Sequence, residues 1–173
     1  MVSSKWIYKI KNKADGSIEK YKERFVARGF SQKERIVYEE TFAPVAWCTS
    51  IRTIMELASM MKWDLQQMDV KTTFLIGVIS EELYIEQPQG FEIEDRVTHV
   101  CKLKKALYGL KQDPRAWYGR IDNFLTRLGF TKSKVDPNLY MKVMDDEPVI
   151  LLLYVDDLFL TEMENRSQIA RRS

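Results

Sequence analysis

Polar and apolar residues alternate along two N-terminal stretches of this chain, residues 5–10 and 18–28. Alternation with a period of two predicts β-strands that are buried on one face only. The dipeptide Asp15-Gly16 lies between the two stretches and is a strong signal for a tight turn. We therefore predict a hairpin, followed by an irregular segment over residues 31–47, where the alternation is lost.

Two later stretches have the spacing of amphipathic helices. In the first, Thr49 or Ser50 can act as the N-cap, and one face is apolar: Ile51, Ile54, Met55, Ala58 and Met61. In the second, Asp113 is suited to the N-cap, Pro114 to the first helical position and Gly129 to the C-terminal end. Its apolar face is formed by Trp117, Ile121, Phe124, Leu125 and Leu128. We expect both faces to pack in a core.

Short runs rich in β-branched, aromatic or alternating apolar residues predict further strands. They cover residues 64–70, 83–87, 99–103, 139–144 and 149–160. Strands that follow one another through short turns, with helices between them, favour an antiparallel sheet covered by helices. The predicted fold class is α+β.

Two adjacent carboxylates, Asp156 and Asp157, interrupt the most apolar of these strands. Burying a charge costs several kcal/mol unless it is paired or bound to a metal, and residues 149–160 contain no Lys or Arg. The pair therefore either lies in water at a tight turn or holds a hard cation. Asp69 ends another predicted strand, and carboxylates from separate strands can together bind two Mg²⁺ ions.

With these carboxylates in place, an ordered series of motifs over most of the chain resembles the reverse transcriptase of copia-type retrotransposons. The motifs occupy residues 5–10, 21–32, 38–45, 67–75, 84–91, 103–112, 114–118, 136–140 and 152–158. The resemblance implies an RNA-directed DNA polymerase that adds deoxynucleotides to a primer 3′-end. Its substrates would be deoxynucleoside triphosphates and an RNA or DNA template with a primer. Its cofactor would be two Mg²⁺ ions, for which Mn²⁺ can substitute.

The resemblance also implies an architecture, the fingers and palm of a right-hand polymerase with an antiparallel palm sheet backed by helices. Residues 1–173 would then form one partial domain. Residues 1–47 would be the basic fingers hairpin and the segment after it, residues 48–161 the palm with an intervening fingers portion, and residues 162–173 a divergent tail. We expect the thumb to be absent, together with the RNase H and integrase regions of an intact polyprotein.

Individual site residues follow from the same resemblance. Asp69, Asp156 and Asp157 correspond to the catalytic metal ligands, and Val70 would add its backbone carbonyl. Phe74 corresponds to the ring beneath the sugar of the incoming nucleotide, where it would collide with a 2′-hydroxyl. The remaining nucleotide-binding candidates are Lys22, Arg24, Tyr108, Gly109 and Lys111, and the candidates for contacting nucleic acid are Arg28, Tyr154 and Arg115. Which of Lys22 and Arg24 meets the triphosphate stays open.

Charge supports a nucleic-acid partner. Residues 1–35 contain ten basic and four acidic side chains, a net charge near +6, although the whole chain carries only +2. Residues 101–120 are also basic, and aromatic residues lie among both sets of bases: Trp6, Tyr8, Tyr21, Phe25, Tyr108, Trp117 and Tyr118. Bases that neutralise phosphates beside rings that stack favour nucleic-acid binding. We see no signal peptide or membrane span, and we interpret Cys48 and Cys101 as reduced, so we expect an intracellular protein and no membrane partner.

Some positions depart from the family pattern. Ile76-Gly77-Val78 replaces a more polar turn, and Asp113 stands where a small apolar residue is usual. Asp113 could repel a triphosphate or simply cap its helix. With the expected truncation, these departures leave a second interpretation, a catalytically dead remnant that binds nucleic acid weakly. A third, another two-metal palm enzyme such as a nucleotide cyclase, is disfavoured by the fingers and helix motifs.

Overall fold

The computed structural model describes residues 1–32, 45–79, 81–93 and 99–163. Most of the irregular segment predicted at 31–47 and most of the tail at 162–173 therefore lie outside the described residues. The chain divides into two compact units: the first comprises Met1–Phe42 and Phe74–Trp117, and the second comprises Ala43–Thr73 and Tyr118–Ser173.

The described residues form two α-helices and nine strands, all paired antiparallel, which confirms a mixed fold of helices and antiparallel sheets. In chain order the elements are β1 (Ser4–Asn12), β2 (Ile18–Ala27), α1 (Cys48–Met61), β3 (Trp63–Asp69), β4 (Tyr84–Ile85), β5 (Cys101–Lys102), α2 (Asp113–Arg127), β6 (Thr131–Lys132), β7 (Leu139–Met144), β8 (Glu147–Tyr154) and β9 (Asp157–Met163).

The N-terminal hairpin of the first unit, β1 with β2, is present as predicted. Its turn is closed by Asp15, whose Oδ1 accepts hydrogen bonds from the backbone N–H of Ser17 at 2.9 Å and from its hydroxyl at 2.6 Å. Gly16 adopts φ +83°, which a residue without a Cβ reaches at no steric cost. Local turn chemistry thus determines this hairpin.

A small apolar core anchors the hairpin within the first unit. It consists of Val2, Ala27, Leu83, Ile85 and Leu110. Val2 donates its N–H to the carbonyl of Tyr84 at 2.9 Å, which ties the start of the chain to β4. The strands predicted at 83–87 and 99–103 are present as the two-residue pair β4–β5.

The second unit contains a five-stranded sheet in the order β3-β9-β8-β7-β6. The stretch predicted at 149–160, with a tight turn at Asp156-Asp157, forms two strands, β8 and β9, which are joined by Val155 and Asp156. The prediction of Asp156-Asp157 at the turn is wrong for Asp157, which begins β9 and pairs with Tyr154. A second tight turn, Asp145-Asp146, joins β7 to β8 with φ of 49° and 64° and was not predicted.

Helix α1 begins earlier than its sequence suggests. Its N-cap is Trp47, and no side chain of that residue caps the helix, so the prediction of Thr49 or Ser50 as N-cap is wrong. Ile54 and Ala58 are buried as expected. Met55 and Met61 are instead exposed, so the fully buried stripe of α1 consists of Ile54 and Ala58.

Helix α2 ends as predicted, near Gly129. The N–H of Phe130 donates to the carbonyl of Leu125 at 3.0 Å, and the N–H of Gly129 donates to that of Thr126 at 3.0 Å. This pair of bonds is the Schellman motif. Two members of its predicted apolar stripe, Phe124 and Leu128, are exposed, whereas Trp117, Ile121 and Leu125 are buried as expected.

The beginning of α2 differs from its prediction in a way that changes its chemistry. Asp113 lies within the helix and is 3% exposed. Its Oδ2 accepts the backbone N–H of Leu110 at 3.2 Å, so it caps the loop before the helix rather than the helix itself. Burial raises the pKa of Asp113 to about 7, although the N–H groups of Leu110 and Leu107 oppose the shift.

Cys48 and Cys101 are both free thiols. Among the described residues, none of the helices has the length and apolarity needed to cross a bilayer.

We predict that Asp113 makes the stability of the chain depend on pH. Because its folded-state pKa lies above the unfolded value of about 3.9, the free energy of unfolding should fall as pH rises from about 4 to 7 and then level off. Asp113→Asn should raise the free energy of unfolding by about 1–3 kcal/mol at pH 8 and change it little near pH 4.

The measurement is urea denaturation of both proteins across this pH range. Asp146→Asn, which replaces an exposed turn carboxyl, is the control and should keep the wild-type pH profile. An Asp113→Asn profile as steep as that of the wild type would contradict the assignment.

Candidate functional site

The carboxylates of the second unit are brought together by strand register. Asp69, the last residue of β3, pairs directly with Asp157, the first residue of β9. Directly opposed residues in antiparallel strands have side chains on the same face and Cα atoms about 4.5–5.5 Å apart. Tyr154 pairs with Asp157 from the other side, so Asp69, Asp157 and Tyr154 occupy one face of the sheet at one end.

Asp156 lies in the turn beside this pair and is held through its backbone. Its carbonyl accepts the N–H of Val70 at 2.9 Å, which extends the β3–β9 ladder past the strand ends. Val155, just before it, has φ +58°. A β-branched residue at positive φ is strained by about 1–3 kcal/mol and persists only where its surroundings determine it.

The donor set at this end of the sheet suits a hard cation. Asp69 is exposed, Asp156 and Asp157 are half-buried, and no Lys or Arg of the described segments forms a salt bridge with any of the three. Gln67, on the same face, donates from Nε2 to Oδ1 of Asp157 at 3.1 Å. Oxygen-only donors are those that Mg²⁺ prefers.

The three carboxylates nevertheless do not form a ready metal cage. Within the ranges that the structure describes, no group of three or more His, Cys, Asp or Glu side chains is arranged to hold a metal ion. The carbonyl of Val70 also accepts a hydrogen bond, from the hydroxyl of Thr73 at 2.5 Å. A carbonyl oxygen has two lone pairs, so one acceptor position of Val70 remains.

The first unit contains a separate group of site candidates, in which an aromatic pair meets a cation. The rings of Phe74 and Tyr108 contact each other edge to face, with centroids 5.8 Å apart. The guanidinium of Arg24 lies 5.3 Å from the Tyr108 ring centroid, within the range of a cation–π interaction. The structure therefore brings together three of the predicted nucleotide-binding residues.

Close backbone packing positions this group. The N–H of Ala27, at the end of β2, donates to the carbonyl of Tyr108 at 2.8 Å. Gly109 adopts φ +93°, and a Cβ there would lie 2.2 Å from the carbonyl oxygen of Ala27. Only glycine permits this approach, so the loop and the hairpin strand are fixed against each other.

A pair of glutamines completes the attachment of the loop. Oε1 of Gln32 accepts the N–H of Lys111 at 2.8 Å, and its Nε2 donates to Oε1 of Gln112 at 2.9 Å. Both glutamines are buried. Sequence reasoning missed Gln32 and Gln112, because isolated glutamines have no spacing signal. Gln67 could have been found, since it lies two positions before Asp69 on the same strand face.

Lys22 and Arg24 lie on the same face of β2, because they are two positions apart. Strand register therefore does not separate the two candidates. The pKa of Lys22 lies below its usual range, chiefly because of the nearby positive charge of Arg24. Partial desolvation and the charges of Lys11, Lys20 and Lys9 lower this pKa further. Arg28 follows this strand with its N–H donated to the carbonyl of Ser3 at 2.8 Å, and Lys111 and Arg115 are exposed.

The aromatic residues of the basic segments differ in availability. Tyr8 and Tyr21 are 73% and 74% exposed, whereas Trp6 packs on Phe25 and Phe91 with centroids 5.1 and 6.1 Å away. Trp117 is 1% exposed and belongs to the core, which confirms its predicted place on the apolar face of α2 and excludes it from the rings that could stack on nucleic acid. Tyr118 donates its hydroxyl to the carbonyl of Pro137 at 2.6 Å.

Comparison with known proteins supplies the family. The family model described as reverse transcriptase (RNA-dependent DNA polymerase) matches residues 1–170. The chain is 46% identical over 157 residues to the retrovirus-related Pol polyprotein from transposon TNT 1-94 of Nicotiana tabacum, which covers 90% of this chain. It is 44% identical over 161 residues to the corresponding polyprotein from transposon RE1 of Arabidopsis thaliana, which covers 93%.

A more distant relative is the Transposon Ty1-H Gag-Pol polyprotein of Saccharomyces cerevisiae, with 30% identity over 166 residues and 92% of this chain covered. The match spans only 12%, 11% and 8% of these three polyproteins. No solved structure matches the chain. The extent of the family match and the identity to the plant polyproteins establish that this chain belongs to the reverse transcriptase family and is similar to one segment of copia-type Pol polyproteins.

Proposed function

We propose that this chain is the catalytic part of an RNA-directed DNA polymerase, which extends a primer 3′-end with deoxynucleotides as directed by an RNA or DNA template. The observation that supports this most is the direct pairing of Asp69 with Asp157, beside the turn at Asp156. Two carboxylates directly opposite each other repel, which has a cost in stability, and two-metal chemistry is a reason for it.

In this proposal the second unit corresponds to the palm and the first unit to the fingers of a right-hand polymerase. The fingers hairpin and the segment after it would be residues 1–47. The palm, with an inserted fingers portion, would be residues 48–161, and the tail would be residues 162–173. The five-stranded antiparallel sheet supports the first assignment, and the basic β1–β2 hairpin supports the second.

Asp69, Asp156 and Asp157 would hold two Mg²⁺ ions, with the remaining lone pair of Val70. When bound, such ions lower the pKa of an attacking hydroxyl and neutralise a leaving pyrophosphate. Mg²⁺ is usually held by one or two carboxylates and completed by substrate phosphates. The opposed pair of Asp69 and Asp157 would supply the carboxylates of such a site, and the phosphates of the substrate would complete the coordination of the metal.

The group of Arg24, Tyr108 and Phe74 would receive the nucleotide. Arg24 can bind phosphate oxygens with two parallel N–H groups, and its contact with Tyr108 orients the guanidinium. Lys22 would act as a neighbouring point charge. Phe74, whose ring contacts Tyr108 edge to face, would pack against the sugar of the nucleotide. Gly109 and Lys111 would shape the loop around the nucleotide.

A second candidate function is nucleic-acid binding alone, by a chain that does not synthesise DNA. It is favoured by the lack, in the described ranges, of three carboxylates arranged for a metal. Arg28, Arg115 and Tyr154 would serve it as well as the first. Primer extension on an RNA template, with the purified chain and with a longer Pol polypeptide that contains it, separates the two functions.

We expect Asp156→Asn to remove any primer extension by either polypeptide, because an amide neither neutralises nor binds Mg²⁺ as well as a carboxylate. Mn²⁺ affinity should fall by about tenfold or more. The free energy of unfolding should stay constant or rise by about 0.2–1 kcal/mol, since like charges repel when no metal is bound.

The matched control is Asp146→Asn, which alters the other Asp-containing turn of the same sheet and should change neither extension nor Mn²⁺ affinity. Undiminished synthesis by Asp156→Asn would refute the assigned site. Robust processive synthesis by the 173-residue chain alone would refute the second function.

A separate prediction concerns the basic hairpin. Replacing Lys22, Arg24 and Arg28 together with Gln should weaken binding to single-stranded nucleic acid at low salt. It should also reduce the slope of log affinity against log salt by about 2, because fewer counterions are released. Fluorescence anisotropy at several salt concentrations measures both quantities. In the charge-matched control, Arg52, Arg127 and Lys134 are replaced together with Gln, and the slope should stay nearly unchanged. An affinity of the wild-type chain that is insensitive to salt would contradict this prediction.

Phe74 gives a prediction about nucleotide selection. In a longer Pol polypeptide that is active, Phe74→Val should raise incorporation of ribonucleotides relative to deoxynucleotides by about tenfold, because a smaller side chain leaves room for a 2′-hydroxyl. Phe30→Val, at an exposed position of the same unit, should leave the ratio unchanged. The measurement is single-nucleotide extension with each substrate; equal ratios in both variants would remove Phe74 from this role.

A further inference from the structure

The turn that contains Val155 and Asp156 has anchors outside its own hairpin. The N–H of Leu153, just before the turn, donates to the carbonyl of Asn138 at 2.9 Å. Tyr154 forms an antiparallel bridge with Val45. These two attachments lie in different parts of the sequence, and both act on the strand that enters the strained turn.

Both attachments lead to one buried carboxylate. Asp136, which is 1% exposed, accepts the N–H of Asn138 on Oδ1 at 2.9 Å and the N–H of Trp47 on Oδ2 at 3.0 Å. Trp47 lies two residues beyond Val45. Asp136 therefore joins the segment that pairs with Tyr154 to the segment that binds Leu153.

The site around Asp136 satisfies a carboxylate without a basic partner. Within the described residues no Lys or Arg forms a salt bridge with it. Burial alone would raise its pKa, yet hydrogen bonds from Ser50, Asn138 and Trp47 hold the pKa below its usual value. It also lies at the N-terminus of α1, where the helix dipole favours negative charge.

We infer that Asp136 is a positioning residue, which holds the Val155–Asp156 turn in its strained conformation and thereby places the Asp156 and Asp157 carboxylates opposite Asp69. The inference rests on the proposed function for its catalytic consequence but not for its structural content. A strained turn persists when several attachments fix it, and Asp136 unites two of them. It contacts none of the three carboxylates.

The substitution that tests this role is Asp136→Asn, which keeps the size of the side chain. An amide presents one oxygen and one NH₂, so one of the two backbone N–H groups at Trp47 and Asn138 would face a donor instead of an acceptor. We expect amide hydrogen exchange at Tyr154–Leu158 and Val70 to accelerate about tenfold beyond any change at the distal end of β7–β8. Mn²⁺ affinity should fall in parallel.

The matched control is Asp122→Asn, in the same unit. Asp122 also has a hydrogen-bonded carboxylate, which accepts the Tyr140 hydroxyl at 2.8 Å and contacts Lys132, but none of these partners reaches the turn. Exchange at the turn should then change no more than exchange elsewhere in the sheet. If Asp136→Asn does not fold, Ser50→Ala removes one hydrogen bond to Asp136 and should give a smaller acceleration at the same amides.

The outcomes separate this inference from the proposed function. Turn exchange that rises no more in Asp136→Asn than in Asp122→Asn, or no change in a folded Ser50→Ala protein, overturns the positioning role. Local acceleration in a chain whose wild type binds no Mn²⁺ supports the positioning role and counts against the metal site. Local acceleration together with weakened Mn²⁺ binding supports both.

Discussion

The pairing of β9 with β3 on one side and with β8 on the other determines the arrangement on which the rest of the site depends. Side chains alternate along a strand, so a slip of one residue in the β3–β9 ladder would move Asp157 to the opposite face from Asp69. Leu158, the next residue of β9, is buried on the other face and would have to exchange environments with Asp157. Burial of Leu158 thus opposes a slip that would separate the two carboxylates.

The parts of the fold that could be predicted are those with local causes. Asp15 and Gly16 make a turn from their own side chain and backbone, and Gly129 ends α2 through bonds within the last turn. The predicted start of α1 was wrong because the N–H of its N-cap residue, Trp47, is bound by Asp136, which lies 89 residues away in sequence. The prediction of Asp113 as the N-cap of α2 was wrong because its carboxylate accepts the N–H of Leu110 instead. Its pKa of about 7 was not predicted, because burial raises it and sequence does not show burial.

The candidate site shows the same division between local and distant causes. The aspartates were found from their residue types within an apolar run, and the aromatic and basic candidates from the family resemblance. Sequence did not reveal that Arg24 alone of the two β2 candidates contacts Tyr108, because that contact depends on how the loop at Gly109 packs against Ala27.

Strain and anchoring explain why the turn at Val155 needs support from outside the hairpin. A two-residue hairpin with positive φ at its first position is usually built with glycine, and β-branched valine is among the least suited residues. Relieving the strain would rotate the peptide that presents the Asp156 carbonyl to Val70 and so shift both aspartates. The hydrogen bonds of Asn138, Trp47 and Val70 oppose that rotation together, and the buried carboxylate of Asp136 connects the first two. The precision of the site therefore depends on a polar cluster several residues away from any group that would contact a substrate.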